Sequence, residues 1–123
     1  MTNFVYYNRN PLHQKIDDCV CRAISTATML NYNGVINLMK VTSEIYKCDE
    51  LCVCCYSKLL EDILQYRVHI CHNSETVSQI ASKYKESVLI IRIDGHLTCA
   101  LNGQIKDIWD CSDKTVDRFW IVN

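Results

Sequence analysis

Glycine and proline are scarce: the 123 residues contain three Gly and one Pro. So little backbone punctuation excludes long flexible linkers and leaves no visible boundary, and a chain of this length reads as one domain, 1–123, with one modest core. Runs of Lys or Arg are absent and the net charge is −1, so the chain offers nucleic acid or an anionic membrane no electrostatic footprint. No apolar stretch approaches membrane-spanning length; the longest is centred on Val88 to Ile91. The opening Met1 to Tyr7 lacks a basic segment followed by an apolar one, so a cytoplasmic location is expected.

Cysteine, by contrast, is abundant: Cys19, Cys21, Cys48, Cys52, Cys54, Cys55, Cys71, Cys99 and Cys111. An odd count without a secretory signature argues against a disulfide scaffold, and most of these thiols are expected to be reduced, small, buried hydrophobes. The Cys48–Cys55 cluster invites a zinc reading. Zinc sites usually come as two separated ligand pairs, and only Cys71 with His69 or His72 could complete such a set, so no metal and no cofactor are expected. Seven tyrosines without a basic groove suit core and rim better than base stacking.

Hydrophobic periodicity predicts helices over about 19–31, 35–47 and 55–66, and a short one from Ser74 to near Tyr84. Asp18 is a good N-cap for the first helix. Residues 1–17 read as irregular or partly extended. Strands are predicted over 68–71, 87–93, 96–101, 104–110 and 119–122, with Asn102-Gly103 as the hairpin turn. Helices first and an antiparallel sheet afterwards give an α+β fold.

A two-residue turn at Asn102-Gly103 pairs Leu101 with Gln104, so Thr98 faces Asp107 and His96 faces Trp109. Alternation then places His96, Thr98, Asp107 and Trp109 on one face, with His96 and Asp107 as diagonal neighbours. Asp110 points the other way and ranks second as a partner for His96. Cys19 falls in the first turn of the first helix, where free N–H groups favour a thiolate. Asp17 and Asp18 oppose that charge, so His96 is needed as its ion-pair partner. Cys21 lies about 200° further round the helix and cannot serve the same site. Arg22 is expected to pair with Asp17 or Asp18.

Asp18-Cys19-Val20-Cys21-Arg22-Ala23-Ile24, then Gly95-His96, then Asp107-Ile108-Trp109-Asp110, resembles the small papain-like cysteine peptidase domains of bacteria and their phages, across nearly the whole chain. A more distant likeness is to papain itself and to bacteriocin-processing peptidases, Lys106-Asp107-Ile108-Trp109 standing where papain has Lys-Asn-Ser-Trp. The resemblance implies a papain-like fold with Cys19 as nucleophile, His96 as general base and acid, and Asp107 orienting the imidazole. It also implies an oxyanion donor from a Gln before the Cys. Gln14 is the candidate, although it stands one residue closer than is usual and His13 holds the usual spacing. The implied activity is hydrolysis of a peptide or isopeptide bond in a protein or peptide substrate, through a thioester acyl-enzyme. Two alternatives stay open: an acyl transferase of the transglutaminase or deamidase type, and a non-catalytic viral or phage factor that engages a host protein on the same fold.

Overall fold

The computed structural model describes residues 3–12 and 18–122. Among them are four helices, α1 Cys19–Thr28, α2 Tyr32–Tyr46, α3 Val53–Lys58 and α4 Val77–Lys83, and six strands. The strands are β1 Phe4–Tyr6, β2 Arg67–Ile70, β3 Val88–Ile93, β4 His96–Leu101, β5 Gln104–Asp107 and β6 Val116–Ile121. They form a single sheet in the order β1-β5-β4-β3-β6-β2, so the α+β class holds. No helix among the described residues is long and apolar enough to cross a membrane.

Two expectations about this architecture, an antiparallel sheet and the bounds of its last strands, need correction. The sheet is mixed, because β1 pairs in parallel with β5, matching Phe4 to Ile105 and Tyr6 to Asp107. A three-residue strand leaves too short an alternation to be read from sequence. Helices cover both faces of the sheet. Alternation along the central strands sends Ile90, Leu97, Cys99 and Trp120 toward α1, α2 and α3. It sends Leu89, Ile91, Ala100, Ile105 and Phe119 to the opposite face, against Val77, Ile80 and Ala81 of α4. Burial on both faces explains why β3 opens with the unbroken apolar run Val88 to Ile91. Finally, β5 ends at Asp107 rather than 110, and β6 begins at Val116, earlier than 119.

The helices follow local chemistry. Residues Val20 to Ala27 are all buried, which suits a helix lying between a sheet and a second helix. It stops at Met29, whose φ of 64° is left-handed. Asn31 then caps α2, its side chain accepting from the N–H groups of Asn33 and Gly34, so this helix begins at Tyr32 and not at 35. The Asn-Tyr-Asn-Gly stretch is therefore a start as well as a stop. Tyr32, Val35, Met39 and Thr42 give α2 one buried stripe. The third helix runs on into a π-helical turn over Leu59–Ile63. There Trp120, fully buried and edge-on to Tyr56 at 6.0 Å, donates through Nε1 to Glu61 Oε2 at 3.0 Å. Thr76 and Gln79 close a capping box on α4.

The β4–β5 hairpin has the expected register, Leu101 opposite Gln104 and Ala100 opposite Ile105. Its turn residues Asn102 and Gly103 have φ of 50° and 86°, the two positive values a type I′ turn requires. A Cβ on Gly103 would also lie 3.3 Å from Lys85 Cβ. Gly103→Ala is therefore expected to destabilise the protein by about 1–2 kcal/mol, read as a lower urea midpoint with an unchanged slope.

Candidate active site

The start of α1 and the start of β4 meet at the end of the sheet. Cys19 and His96 line the same cavity of about 130 Å³, with Val20, Leu97, Val53 and Tyr56 among its walls. There the Cys19 thiol and the His96 ring are near enough for each to shift the other's titration. His96 Nε2 lies 2.6 Å from Asp107 Oδ2, which leaves Nδ1 as the nitrogen free to meet the thiol. Asp107 is in turn fixed three ways. Its Oδ1 accepts from the Ile108 N–H at 2.7 Å, and its backbone carbonyl accepts from Tyr7 N–H at 2.9 Å through the β1 pairing. Arg22 Nη2 approaches Oδ1 at 3.7 Å. Trp109 stands edge-on to the His96 ring at 4.9 Å, although the ladder has already ended. The structure thus brings Cys19, His96 and Asp107 into one continuous line.

Asp110 is not part of that line. Its carboxylate is exposed and accepts from the N–H and hydroxyl of Ser112, so it shapes the turn that follows β5. Gln14, the oxyanion candidate, lies outside the described residues.

The electrostatics favour an ion pair. Burial works against a Cys19 thiolate, yet the hydrogen bond to His96, the Leu97 N–H and the charges of His96 and Arg22 outweigh it, holding the thiol below its ordinary range. Burial likewise opposes an imidazolium, but the bonds of His96 to Asp107, Cys111 and Cys19 raise its pKa to about 11. Asp107 is desolvated too, and its bond to His96 still keeps the carboxyl below the usual range. Cys21 differs: it sits in the core, and burial followed by the Asp18 charge pushes its thiol up to about 11. Cys99 is raised further, chiefly by complete burial. These thiols are inert by environment, and Cys19 is not.

Several supporting residues were invisible in the sequence. Arg22 does pair with Asp18, as expected for an i,i+4 couple, but it also faces Asp107, tying the nucleophile's helix to the carboxylate. Asp18 is held from behind by Tyr32, whose hydroxyl donates to Oδ2 at 2.6 Å, and by Asn10 Nδ2 at 3.1 Å. So engaged, Asp18 gives α1 no side-chain cap, contrary to its expected role. Cys111 is fully buried, with Sγ 3.9 Å from Asp107 Oδ2. Among the described residues, His96, Asp107 and Cys111 are the one group of three possible metal ligands, their atoms lying within 4.8 Å of one another. Arg92 braces the cavity wall, donating to the Tyr56 hydroxyl at 3.2 Å and to Asp117 at 2.9 Å. Apart from the i,i+4 relations of Arg22 with Asp18 and of Cys111 with Asp107, these contacts join residues well separated in the chain, so no local pattern announces them.

Comparison of the chain with family models, with curated proteins and with solved structures finds no match.

Proposed function

We propose that the chain is a cysteine-dependent hydrolase of papain-like fold that cleaves a peptide or isopeptide bond through a thioester acyl-enzyme. The observation that carries this reading is the line Cys19–His96–Asp107, in which the thiol is acidified and opens on a cavity while the carboxylate is buried behind the imidazole. The Cys19 thiolate attacks the substrate carbonyl. His96, already an imidazolium, then donates its proton to the leaving amine. As a neutral base it next takes a proton from water as the oxygen attacks the thioester carbonyl; the C–S bond breaks, the acid product leaves, and Cys19 returns to its thiolate beside the His96 imidazolium. Asp107 keeps the proton on Nε2 and so leaves Nδ1 to work. The backbone N–H of Cys19, at the first helical position of α1, is the group assigned to receive the developing oxyanion.

The test is brief iodoacetamide treatment at neutral pH followed by intact-mass and peptide analysis. One adduct, on Cys19, is expected before any other thiol reacts. Uniform slow labelling of several cysteines would end the enzyme reading and favour a binding protein. Peptide panels, with and without a free glutamine amide or an added amine acceptor, then separate hydrolysis from acyl transfer.

The pH profile has a defined sign. Cys19 has a lowered pKa, so its thiolate is lost only as pH falls through that lowered value. His96 has a raised one, so its positive charge, and the stability that charge contributes, is fully present below about pH 6.5 and is lost as pH rises through about 11. The Cys19 alkylation rate should therefore reach its plateau at a lower pH than that of a simple thiol such as N-acetylcysteine measured beside it. A profile that coincides with the simple thiol's would show an unactivated thiol.

A further inference from the structure

The cysteine cluster that suggested zinc folds into something else. Cys52 Sγ and Cys54 Sγ are 2.9 Å apart, roughly 1 Å beyond a covalent S–S bond. Cys54 is exposed and Cys52 half-buried, so small oxidants reach both. Cys55 is the opposite case: it is fully buried, and burial together with the hydrogen bond to Cys48 pushes its thiol up to about 12. Cys48 is half-buried like Cys52, but it engages the buried Cys55, which leaves Cys52 and Cys54 to each other. Within the accessible pair the Cys54 thiol and N–H donate to Cys52, making Cys52 the more acidic sulfur and the first nucleophile. Position gives the pair its interest. Leu51 and Val53, the residues on either side of Cys52, both line the cavity that contains Cys19.

We propose that Cys52 and Cys54 are a reversible dithiol–disulfide pair, closed by a peroxide, that makes the wall of the Cys19 cavity redox-sensitive. The Cys52 thiolate attacks one peroxide oxygen; an S–O bond forms, the O–O bond breaks, and hydroxide leaves and takes up the thiol proton as water. Cys54 then attacks the sulfenic sulfur; the S–S bond forms, the S–O bond breaks, and a second water leaves with the Cys54 proton. Two thiols are oxidised by two electrons and one hydrogen peroxide is reduced to two waters. Drawing the two sulfurs together moves the backbone of Val53 against Leu51, and with it one side of the cavity. A dithiol reductant reverses the step, since the exposed bridge is open to attack.

The pair is tested apart from any peptidase activity, in the full chain carrying Cys19→Ser so that the acidified thiol does not consume the oxidant. Hydrogen peroxide at a small excess is expected to lower the mass by about 2 Da, the loss of two hydrogens, and to protect Cys52 and Cys54 alone from N-ethylmaleimide. Dithiothreitol should restore both. Adding Cys54→Ser should abolish the loss and leave Cys52 to gain oxygen instead. Amide NMR of the reduced and oxidised forms should show shifts at Gly95 and Leu97, across the cavity, as well as at Leu51 and Val53. A disulfide elsewhere, or oxygen adducts on Cys52 with Cys54 still alkylated in the parent protein, would overturn the pairing. Shifts confined to residues 52–54 would overturn its effect on the cavity.

Discussion

Asp107→Ala is expected to cut turnover by roughly 10³–10⁴-fold while Asp110→Ala leaves it within about twofold of the parent. The reason is positional. Asp107 Oδ2 is 2.6 Å from His96 Nε2, whereas Asp110 spends its carboxylate on Ser112. Without Asp107 the imidazole is free to turn and to place its proton on the wrong nitrogen, and it loses the hydrogen bond and charge that raise its pKa to about 11. The acidified state of Cys19 depends on that imidazolium, so the plateau in the alkylation profile should move to higher pH as turnover falls. Asp107→Asn is the companion variant. It keeps an acceptor oxygen and the fold while removing the charge, so it should lose less and should lower the His96 pKa measured by NMR. Both variants must be checked for native circular dichroism. If Asp110→Ala removes the reactive thiol and Asp107→Ala preserves it, the His–carboxylate assignment fails.

Arg22→Ala is expected to cost about 3–5 kcal/mol of stability and to lower Tm by roughly 10–20 °C. Arg22 is buried between two buried carboxylates, Asp18 and Asp107. Truncation would leave both anions desolvated without their shared cation, and a stranded buried charge is far more expensive than a lost surface pair. The effect reaches the chemistry as well, because the Arg22 charge helps to hold the Cys19 thiol low. A structural role alone would leave the alkylation profile of the surviving folded protein where it was; the arrangement seen here predicts that it shifts upward in pH. Asp18→Asn separates the contributions, since it removes one of the two charges and keeps partners for Tyr32 and Asn10. A Tm loss of no more than a few degrees for Arg22→Ala would show that water reaches these carboxylates and that the network is not buried in solution.

What could be read along the chain was whatever repeats over a few residues. The α+β class, the β4–β5 hairpin with its Asn102-Gly103 turn, and the placement of His96 and Asp107 on one face follow from alternation and turn chemistry, which are local. So does the assignment of Cys19 to a helix start, since the apolar spacing after it is helical. Even the i,i+4 pairing of Asp18 with Arg22 is a one-turn relation.

Tertiary structure decided the rest. It laid three residues of β1 alongside β5 and so pinned the backbone of Asp107, a pairing across about a hundred residues that no short pattern encodes. It turned the Asp18 side chain away from capping its own helix, because a buried guanidinium and a tyrosine hydroxyl compete more strongly for it than backbone N–H groups do. It also sorted nine chemically identical thiols into different states. Cys19 is acidified by a histidine from another element, Cys21 and Cys99 are silenced by burial, and Cys52 and Cys54 are set against each other at 2.9 Å. A thiol's reactivity depends on what surrounds the sulfur, and for Cys19 the decisive neighbour, His96, comes from a distant segment of the chain.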